Sequence, residues 1–176
     1  KTLRGVLTPI LVKTFNWVLQ TKETPISWRE ATISAIPKPG KDKSECTNYR
    51  PISVLNLDYK MFTSILAKRF DKILPQIIHL DQTGFIQSRQ TQDNIRRTLQ
   101  IIRHSNQNNL QAMIVSLDAE KAFDSVRWTF LFKVMGKFGF NETIIKTIDT
   151  LYKNPSARLK INGELSESFK LERSTR

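Results

Sequence analysis

The length, composition and charge of the chain limit the class of protein it can be. With 176 residues, 39% hydrophobic and 25% charged, it is long enough to form one domain, or a large part of one, around a buried core. The 28 Lys and Arg residues outnumber 16 Asp and Glu residues, and the net charge is +12. This excess favours nucleic acid as a partner, ahead of a membrane surface or a merely solvated basic surface.

The sequence contains no signal for secretion or for a membrane span. A membrane-spanning helix needs about 20 apolar residues, and every apolar run in the sequence is much shorter. The first 20 residues carry scattered charges and contain no small-residue cleavage site that would indicate a secretion signal. Cys46 is the single cysteine, which excludes an internal disulfide and favours a reducing compartment. We therefore expect a protein that is neither secreted nor inserted in a membrane.

The first third of the chain predicts a helix followed by a β-hairpin. Apolar residues spaced by three and four predict an amphipathic helix over 3–19 whose core face is Leu3, Leu7, Ile10, Leu11, Phe15, Val18 and Leu19. Strands are predicted at 31–36 and 48–55 around a proline- and glycine-rich turn. Pro51 restricts the second strand to a sheet edge or to its own first residue.

The turn between these strands carries lysines and is a candidate phosphate site. Lys38 and Lys41 flank Gly40, and such a turn can present ammonium groups and backbone N–H donors to phosphate. Arg50 precedes the rigid Pro51, and its planar guanidinium suits phosphate oxygens. The alternative is an ordinary solvated hairpin tip.

Two helices and an apolar strand are predicted in the middle of the chain. One helix runs from a cap at Asp58 to residue 74, where Pro75 ends it, and a second covers 91–104 with Ile95, Leu99 and Ile102 facing the core. The apolar run 112–117 predicts a buried strand that ends on Asp118. Asp118 is either a functional carboxylate held at the edge of a site or the cap of the next helix.

The last third predicts two helices and a second hairpin. Trp128, Leu131, Phe132 and Met135 indicate a helix that closes at Gly136 or Gly139, and Asn141 is the expected cap of the next helix, with Pro155 beyond its end. Asn162-Gly163 predicts a type I′ turn between residues 159–161 and 165–171.

Five motifs occur in an order that is typical of one family. They are Ile36-Pro37-Lys38-Pro39-Gly40-Lys41-Asp42, Asn48-Tyr49-Arg50-Pro51-Ile52-Ser53, Gly84-Phe85 with Arg89, Ser116-Leu117-Asp118-Ala119-Glu120-Lys121-Ala122-Phe123-Asp124, and the predicted helix-helix-hairpin segment that ends in Arg173-Ser174-Thr175-Arg176. The chain resembles the reverse transcriptases of non-LTR retrotransposons of the LINE-1 type and, more distantly, group II intron maturases. Each motif alone is moderately specific, but the ordered set covers nearly the whole chain.

The resemblance implies an α+β right-hand polymerase, with an antiparallel palm sheet packed on helices. Residues 1–27 would be a helical lead-in, 28–109 the fingers and 110–176 the first part of the palm. It also implies an RNA-directed DNA polymerase that adds dNTPs to a DNA primer on an RNA template with two Mg²⁺ ions, in the nucleus or the cytoplasm. The rest of the palm, the thumb and an endonuclease would belong to the parent polyprotein.

The resemblance also implies roles for individual residues. Asp118 would be the catalytic, metal-binding aspartate, with the backbone carbonyl of Ala119 as a further ligand. Phe123 would exclude the ribonucleotide 2′-OH, and Asp124 would either support the metal-binding residues or be structural, without binding metal itself. The nucleotide-binding residues would be Arg50 with Lys38 or Lys41, and the template-binding residues Gly84, Phe85 and Arg89.

In one respect the sequence departs from the family pattern. The family has two further catalytic carboxylates in an Ala-Asp-Asp turn, and no Asp-Asp pair occurs in this sequence. We therefore expect the chain alone not to polymerise, and to be marginally stable because its sheet edge would be unpaired. The alternatives are a catalytically dead remnant that acts only as a basic nucleic-acid-binding module, and an unrelated basic structural protein.

Overall fold

The computed structural model describes residues 3–173, which form two compact units. The first unit consists of residues 1–62 and 121–176, and the second of residues 63–120. The helices are α1 Arg4–Thr21, α2 Leu57–Phe70, α3 Leu74–Ile77, α4 Thr91–Gln107, α5 Ala122–Ser125, α6 Trp128–Lys137 and α7 Glu142–Leu151. The strands are β1 Glu30–Pro37, β2 Tyr49–Val54, β3 Ser156–Ile161, β4 Glu164–Leu165 and β5 Phe169–Lys170.

The first unit is built around a mixed five-stranded sheet. Its order is β2-β1-β3-β4, and β5 also pairs with β3. Strands β1 and β2 are antiparallel, whereas β1 and β3 are parallel with Ala31 opposite Ala157. The α+β class is confirmed, but the expectation of an antiparallel sheet is wrong for this pair. A parallel pair needs a long crossover, and the many residues between β1 and β3 supply it.

Both predicted hairpins are present. Pro51 lies in β2, an edge strand, where its missing N–H costs no ladder hydrogen bond. At the second hairpin, Asn162 and Gly163 have φ of 53° and 91°. A type I′ turn needs positive φ at both central residues, so the Asn-Gly pair determines this turn locally.

An aromatic cluster forms the core of the first unit. Trp28 is 3% exposed, and its ring centroid lies 6.1 Å from that of Phe15 and 5.5 Å from those of Tyr59 and Phe62. The indole Nε1 of Trp28 donates to Asp58 Oδ2 at 2.7 Å. This contact satisfies the only polar atom of the indole, as burial of tryptophan usually requires.

The predicted core face of α1 is only partly buried. Val18 is fully buried and Phe15 packs on Trp28, but Leu3, Leu7 and Ile10 are 64%, 47% and 58% exposed. The prediction is therefore right for the second half of the helix and wrong for the first. Helical periodicity shows which residues share a face but not how much of that face another element covers.

Helix α2 differs from its prediction at both ends. It begins at Leu57, so Asp58 lies in its first turn rather than at its cap, and it ends at Phe70 rather than at residue 74. Pro75 lies in the first turn of the short helix α3, which begins at Leu74, because a proline fits the first turn of a helix, where no N–H is needed.

The second unit has no fully buried residue among 63–120. Helix α4 is where the sequence predicts it, but Ile95, Leu99 and Ile102 are 56%, 59% and 37% exposed. The prediction that these residues face a core is wrong, since no described residue of the unit covers them enough to bury them.

The predicted strand at 112–117 is also absent. Residues 110–119 form no helix or strand, and Met113, Ile114 and Leu117 are 85%, 60% and 90% exposed. A strand persists only when a neighbour satisfies its backbone N–H and C=O groups, and the described sheet consists of β1 to β5 alone. The apolar composition was therefore not sufficient to form a strand here.

Helices α6 and α7 agree with their predictions. Gly139, with φ of 83°, follows α6, and the Asn141 side chain accepts a hydrogen bond at 2.9 Å from the N–H of Ile144 at the start of α7. This is the geometry of an N-cap, which satisfies an amide that has no partner within the helix. Over residues 3–173, none of the helices is long and apolar enough to cross a bilayer.

Candidate functional site

The lysine-rich loop between β1 and β2 is fastened by its own hydrogen bonds. The backbone N–H of Lys38 donates to the carbonyl of Asn48 at 2.8 Å, and the Asn48 side chain donates to the carbonyl of Asp42 at 2.9 Å. The Tyr49 hydroxyl donates to the carbonyl of Lys43 at 2.9 Å. The loop is thus held in one shape, and this reduces the entropy lost when a ligand binds.

The cations of this hairpin differ in how they are engaged. The Lys38 ammonium donates to the carbonyl of Thr47 at 2.9 Å and closes the loop. Within the described part of the chain, the ammonium of Lys41 and the guanidinium of Arg50 have no hydrogen-bond or ion-pair partner, and both residues are exposed. The structure therefore leaves Lys41 and Arg50 available to an anion and uses Lys38 to shape the loop.

The carboxylate of the loop does not neutralise these cations. Asp42 accepts hydrogen bonds from the backbone N–H of Ser44 at 2.9 Å and from the Ser44 hydroxyl at 2.8 Å. These two bonds, the backbone one first, hold the pKa of Asp42 below its usual value. Asp42 stays charged but is directed at Ser44, so Lys41 keeps its positive charge unpaired.

The strand register places Lys160 on the same sheet face as Arg50. Residues opposite one another across paired strands share a face, and so do alternate residues along a strand. Arg50 pairs with Ile36, while Lys160 pairs with Ser34, which is two residues away from Ile36 on β1. Lys160 is exposed, whereas its neighbour Arg158 is ion-paired with Glu30.

Lys160 is a candidate that sequence reasoning did not find. The alternation of Leu159, Lys160 and Ile161 was a signal that Lys160 points away from the core. The parallel pairing of β1 with β3, which brings Lys160 to the face of Arg50, was not visible in the sequence.

The opposite face of the sheet lines a cavity of about 170 Å³. Its wall includes Trp28, Tyr59, Asp124, Trp128 and Tyr152. Burial, with a smaller contribution from Tyr152, raises the pKa of Tyr59 to about 12, and burial also raises the pKa of Tyr152. Both hydroxyls are therefore neutral at physiological pH, and the cavity is a mostly apolar part of the core.

Phe123 and Asp124 both lie in the short helix α5. Asp124 is half-buried in the cavity wall, while Phe123 is 50% exposed. The two neighbouring side chains therefore have different surroundings.

Asp118 lies on the exposed irregular segment, in the second unit. It is not the cap of α5, because that helix begins at Ala122 and its N-cap position is Lys121, with φ of 48°. The alternative that Asp118 caps the following helix is therefore wrong.

The oxygen donors of Asp118 and Ala119 suit a hard cation such as Mg²⁺ in type but not in number. A two-ion site needs several carboxylates around both ions. Within residues 3–173, no three His, Cys, Asp or Glu side chains are grouped closely enough to hold a metal ion.

Gly84, Phe85 and Arg89, which the resemblance implies as template-binding residues, lie in one loop of the second unit. Phe85 has φ of 61° and is 87% exposed. The guanidinium of Arg89 donates hydrogen bonds to the backbone carbonyls of His79, Gln82, Pro75 and Ile78 at 2.6–2.9 Å. Residues 174–176, which complete the last motif, lie outside the described residues.

Comparison with known proteins gives a consistent family. Residues 36–176 match the family model described as reverse transcriptase (RNA-dependent DNA polymerase). The chain is 30% identical over 88% of its length to a 149 kDa protein of transposon TX1 from Xenopus laevis, and 29% identical over 96% to the Pol polyprotein of the type-2 retrotransposable element R2DM from Drosophila melanogaster. It is also 30% identical over 64% to the RNA-directed DNA polymerase of the Drosophila melanogaster mobile element jockey. The chain spans only 12%, 16% and 12% of these three relatives.

Proposed function

The chain belongs to the reverse transcriptase family, among the non-LTR retrotransposons, and we propose that it is the part of such an enzyme that binds the incoming nucleotide and one strand of nucleic acid. The whole enzyme would extend a DNA primer on an RNA template. The observation that best supports this proposal is the preformed hairpin that carries Arg50 and Lys41 without partners in the described chain. The net charge of +12 is in keeping with a polyanionic partner.

Arg50 and Lys41 would bind the triphosphate of the incoming dNTP. The planar guanidinium of Arg50 can donate two parallel hydrogen bonds to phosphate oxygens, and Lys41 adds a compact positive charge. Lys160, on the same sheet face as Arg50, would add to the positive potential there. Lys38 would act through the shape of the loop, because its ammonium is already bound to Thr47.

Asp118 and the carbonyl of Ala119 would hold Mg²⁺ together with carboxylates from the rest of the enzyme. When bound, the two ions polarise the primer 3′-hydroxyl and stabilise the leaving pyrophosphate. Because the described chain offers too few ligands for both ions, we expect it to be inactive alone. Phe123 would exclude a ribonucleotide by contact with its 2′-hydroxyl, and residues 28–109 and 110–176 would contribute to fingers and palm.

Primer extension on an RNA template tests this proposal. With dNTPs and Mg²⁺, a chain extended to the length of its relatives should incorporate nucleotides, and the 176-residue chain should not. Incorporation by the 176-residue chain would contradict the proposal that carboxylates from the rest of the enzyme are needed to complete the metal site. Absence of incorporation by the long chain, with salt-sensitive RNA binding retained, would instead favour a catalytically dead nucleic-acid-binding remnant.

We expect Arg50→Ala to raise the apparent KM for dNTPs in the extended protein by on the order of 10- to 100-fold. The reason is that one charge-assisted contact contributes about 1.5–3 kcal/mol. Lys41→Ala should raise KM more than Lys38→Ala, since the ammonium of Lys38 is engaged with Thr47. Steady-state kinetics of single-nucleotide incorporation would measure these effects.

A matched control removes one arginine charge elsewhere. Arg69 is exposed in the last turn of α2 and is not one of the proposed nucleotide-binding residues, so Arg69→Ala should leave KM within about twofold of the unmodified protein. If Arg50→Ala and Arg69→Ala behave alike, Arg50 does not bind the nucleotide.

A further inference from the structure

Two adjacent side chains hold the middle of the loop between β1 and β2. The Asn48 Nδ2 donates to the carbonyl of Asp42 at 2.9 Å, and the Tyr49 hydroxyl donates to the carbonyl of Lys43 at 2.9 Å. Asn48 and Tyr49 are half-buried, whereas residues 39–47 are exposed. The two hydrogen bonds therefore attach two successive carbonyls of an exposed segment to residues that are themselves packed.

These contacts fix the backbone on both sides of Lys41. The N–H of Lys41 donates to the carbonyl of Lys38 at 3.3 Å, and the next residue is Asp42, whose carbonyl Asn48 holds. The residue before Lys41 is Gly40, with φ of 68°. Because glycine loses more conformational freedom on ordering than any other residue, a turn of this kind needs contacts that offset the lost entropy.

Tyr49 acts from the sheet face opposite Arg50. Successive residues of a strand point to opposite faces, and the register pairs Tyr49 with Pro37 and Arg50 with Ile36. A change confined to the Tyr49 hydroxyl therefore removes nothing from the face that carries Arg50. If such a change weakens the binding of an anion on that face, the effect has to pass through the loop.

We propose that Asn48 and Tyr49 are positioning residues that hold this loop closed, so that Lys41 is kept in the place from which it binds the triphosphate of a nucleotide. The apparent affinity for a ligand falls in proportion to the fraction of molecules in the binding-competent shape. A loop that opens more often binds the triphosphate more weakly, although no group that contacts phosphate has been removed. The inference rests on the proposed function for the identity of the ligand.

Binding of inorganic tripolyphosphate to the 176-residue chain is the first test, because this probe has the phosphate groups of a nucleotide without its base or sugar. Tyr49→Phe should weaken binding about 3-fold and Asn48→Ala about 3- to 10-fold, which are the factors that correspond to one net hydrogen bond. Calorimetry would measure the affinity. Amide hydrogen exchange of residues 38–48 should be faster in both variants, because the loop opens more often.

Matched controls remove the same groups outside the loop. The Asn56 Nδ2 donates to the carbonyl of Ser27 at 2.9 Å, so Asn56→Ala removes the same kind of hydrogen bond as Asn48→Ala. Tyr152→Phe removes a phenol hydroxyl from the cavity wall. Both controls should leave the affinity for tripolyphosphate within about twofold, since sites that are independent of the loop do not couple to it. A loss in the controls equal to that in the loop variants would overturn the proposal.

A double-mutant cycle tests whether the effect passes through Lys41. In a Lys41→Ala background, Tyr49→Phe should weaken tripolyphosphate binding by less than about 1.5-fold, because the group that it positions is already absent. A further loss as large as in the unmodified chain would show that Tyr49 acts independently of Lys41, and would overturn the proposed route.

Steady-state kinetics of the extended protein separate positioning from stability. Tyr49→Phe should raise the KM for dNTPs by the factor found for tripolyphosphate and leave kcat within about twofold. A purely structural role would lower the amount of active protein, and with it the apparent kcat, while KM stayed the same. That result would contradict the proposal.

Failure of this inference and failure of the proposed function would look different. If Arg50→Ala and Lys41→Ala bind tripolyphosphate as tightly as the unmodified chain, the hairpin does not bind nucleotide and both proposals are wrong. If those two variants weaken binding while Asn48→Ala and Tyr49→Phe leave it unchanged, only the positioning role is overturned.

Discussion

Replacement of Asp118 by asparagine is expected to remove primer extension by the extended protein while RNA affinity stays within about twofold. Asparagine keeps the size of the side chain but loses the negative charge that a hard cation requires. Loss of a group that only orients a metal ligand already costs about 10- to 100-fold, so loss of a ligand should cost at least 100-fold. Single-turnover primer extension and RNA binding, both in Mg²⁺, would measure the two effects.

Glu120→Gln is the matched control for this experiment. Glu120 is also an exposed carboxylate, lies two residues from Asp118 in the sequence and, like Asp118, precedes α5. Its replacement removes the same charge but no proposed ligand, so extension should fall by less than about threefold. Equal losses in the two variants would mean that the segment contributes only negative potential, and Asp118 would then not be a metal ligand.

Replacement of Trp28 by alanine is expected to destabilise the chain by about 3–5 kcal/mol. Trp28 contacts Phe15, Tyr59 and Phe62, so its removal leaves a cavity at the centre of the first unit. It also removes the donor at 2.7 Å from Asp58. Urea unfolding would measure the change in free energy of unfolding. It should be followed by far-ultraviolet circular dichroism of the backbone rather than by tryptophan fluorescence, because the variant lacks one tryptophan.

Two further variants separate packing from hydrogen bonding at this position. Trp28→Phe keeps a ring but leaves Asp58 without the indole donor, and should cost about 1–3 kcal/mol. Trp17→Ala removes a tryptophan that is 41% exposed on the same helix as Phe15, and should cost less than about 1 kcal/mol. If Trp17→Ala is as destabilising as Trp28→Ala, the aromatic cluster is not the main core.

The two units respond differently to the same kind of sequence signal. Apolar periodicity in α1 and in α4 is similar in kind, yet Val18 is fully buried and Leu99 is 59% exposed. In the first unit, the sheet and the Trp28 cluster supply apolar partners. In the second unit, residues 63–120 include none that is fully buried, and the hydrogen bonds of Arg89 and Asn94 order the loop between α3 and α4 instead.

The sequence by itself determined the features that depend on a few neighbouring residues. Asn162-Gly163 tolerates the positive φ of a type I′ turn, Asn141 caps α7 through its own side chain, and Pro51 is compatible only with an edge or terminal strand position. The ordered motifs likewise indicated the family, which the match over 36–176 shows. Each of these signals can be recognised in the sequence itself, so no knowledge of contacts between distant residues was needed to interpret it.

Only the tertiary structure decided the features that depend on distant partners. The parallel pairing of β1 with β3 put Lys160 on the face of Arg50, and the loop of the second unit brought four backbone carbonyls within hydrogen-bonding distance of the Arg89 guanidinium. The run 112–117 has the composition of a strand but no neighbour to pair with among β1 to β5. Burial and pairing are properties of two surfaces, and the sequence of one segment specifies only one of them.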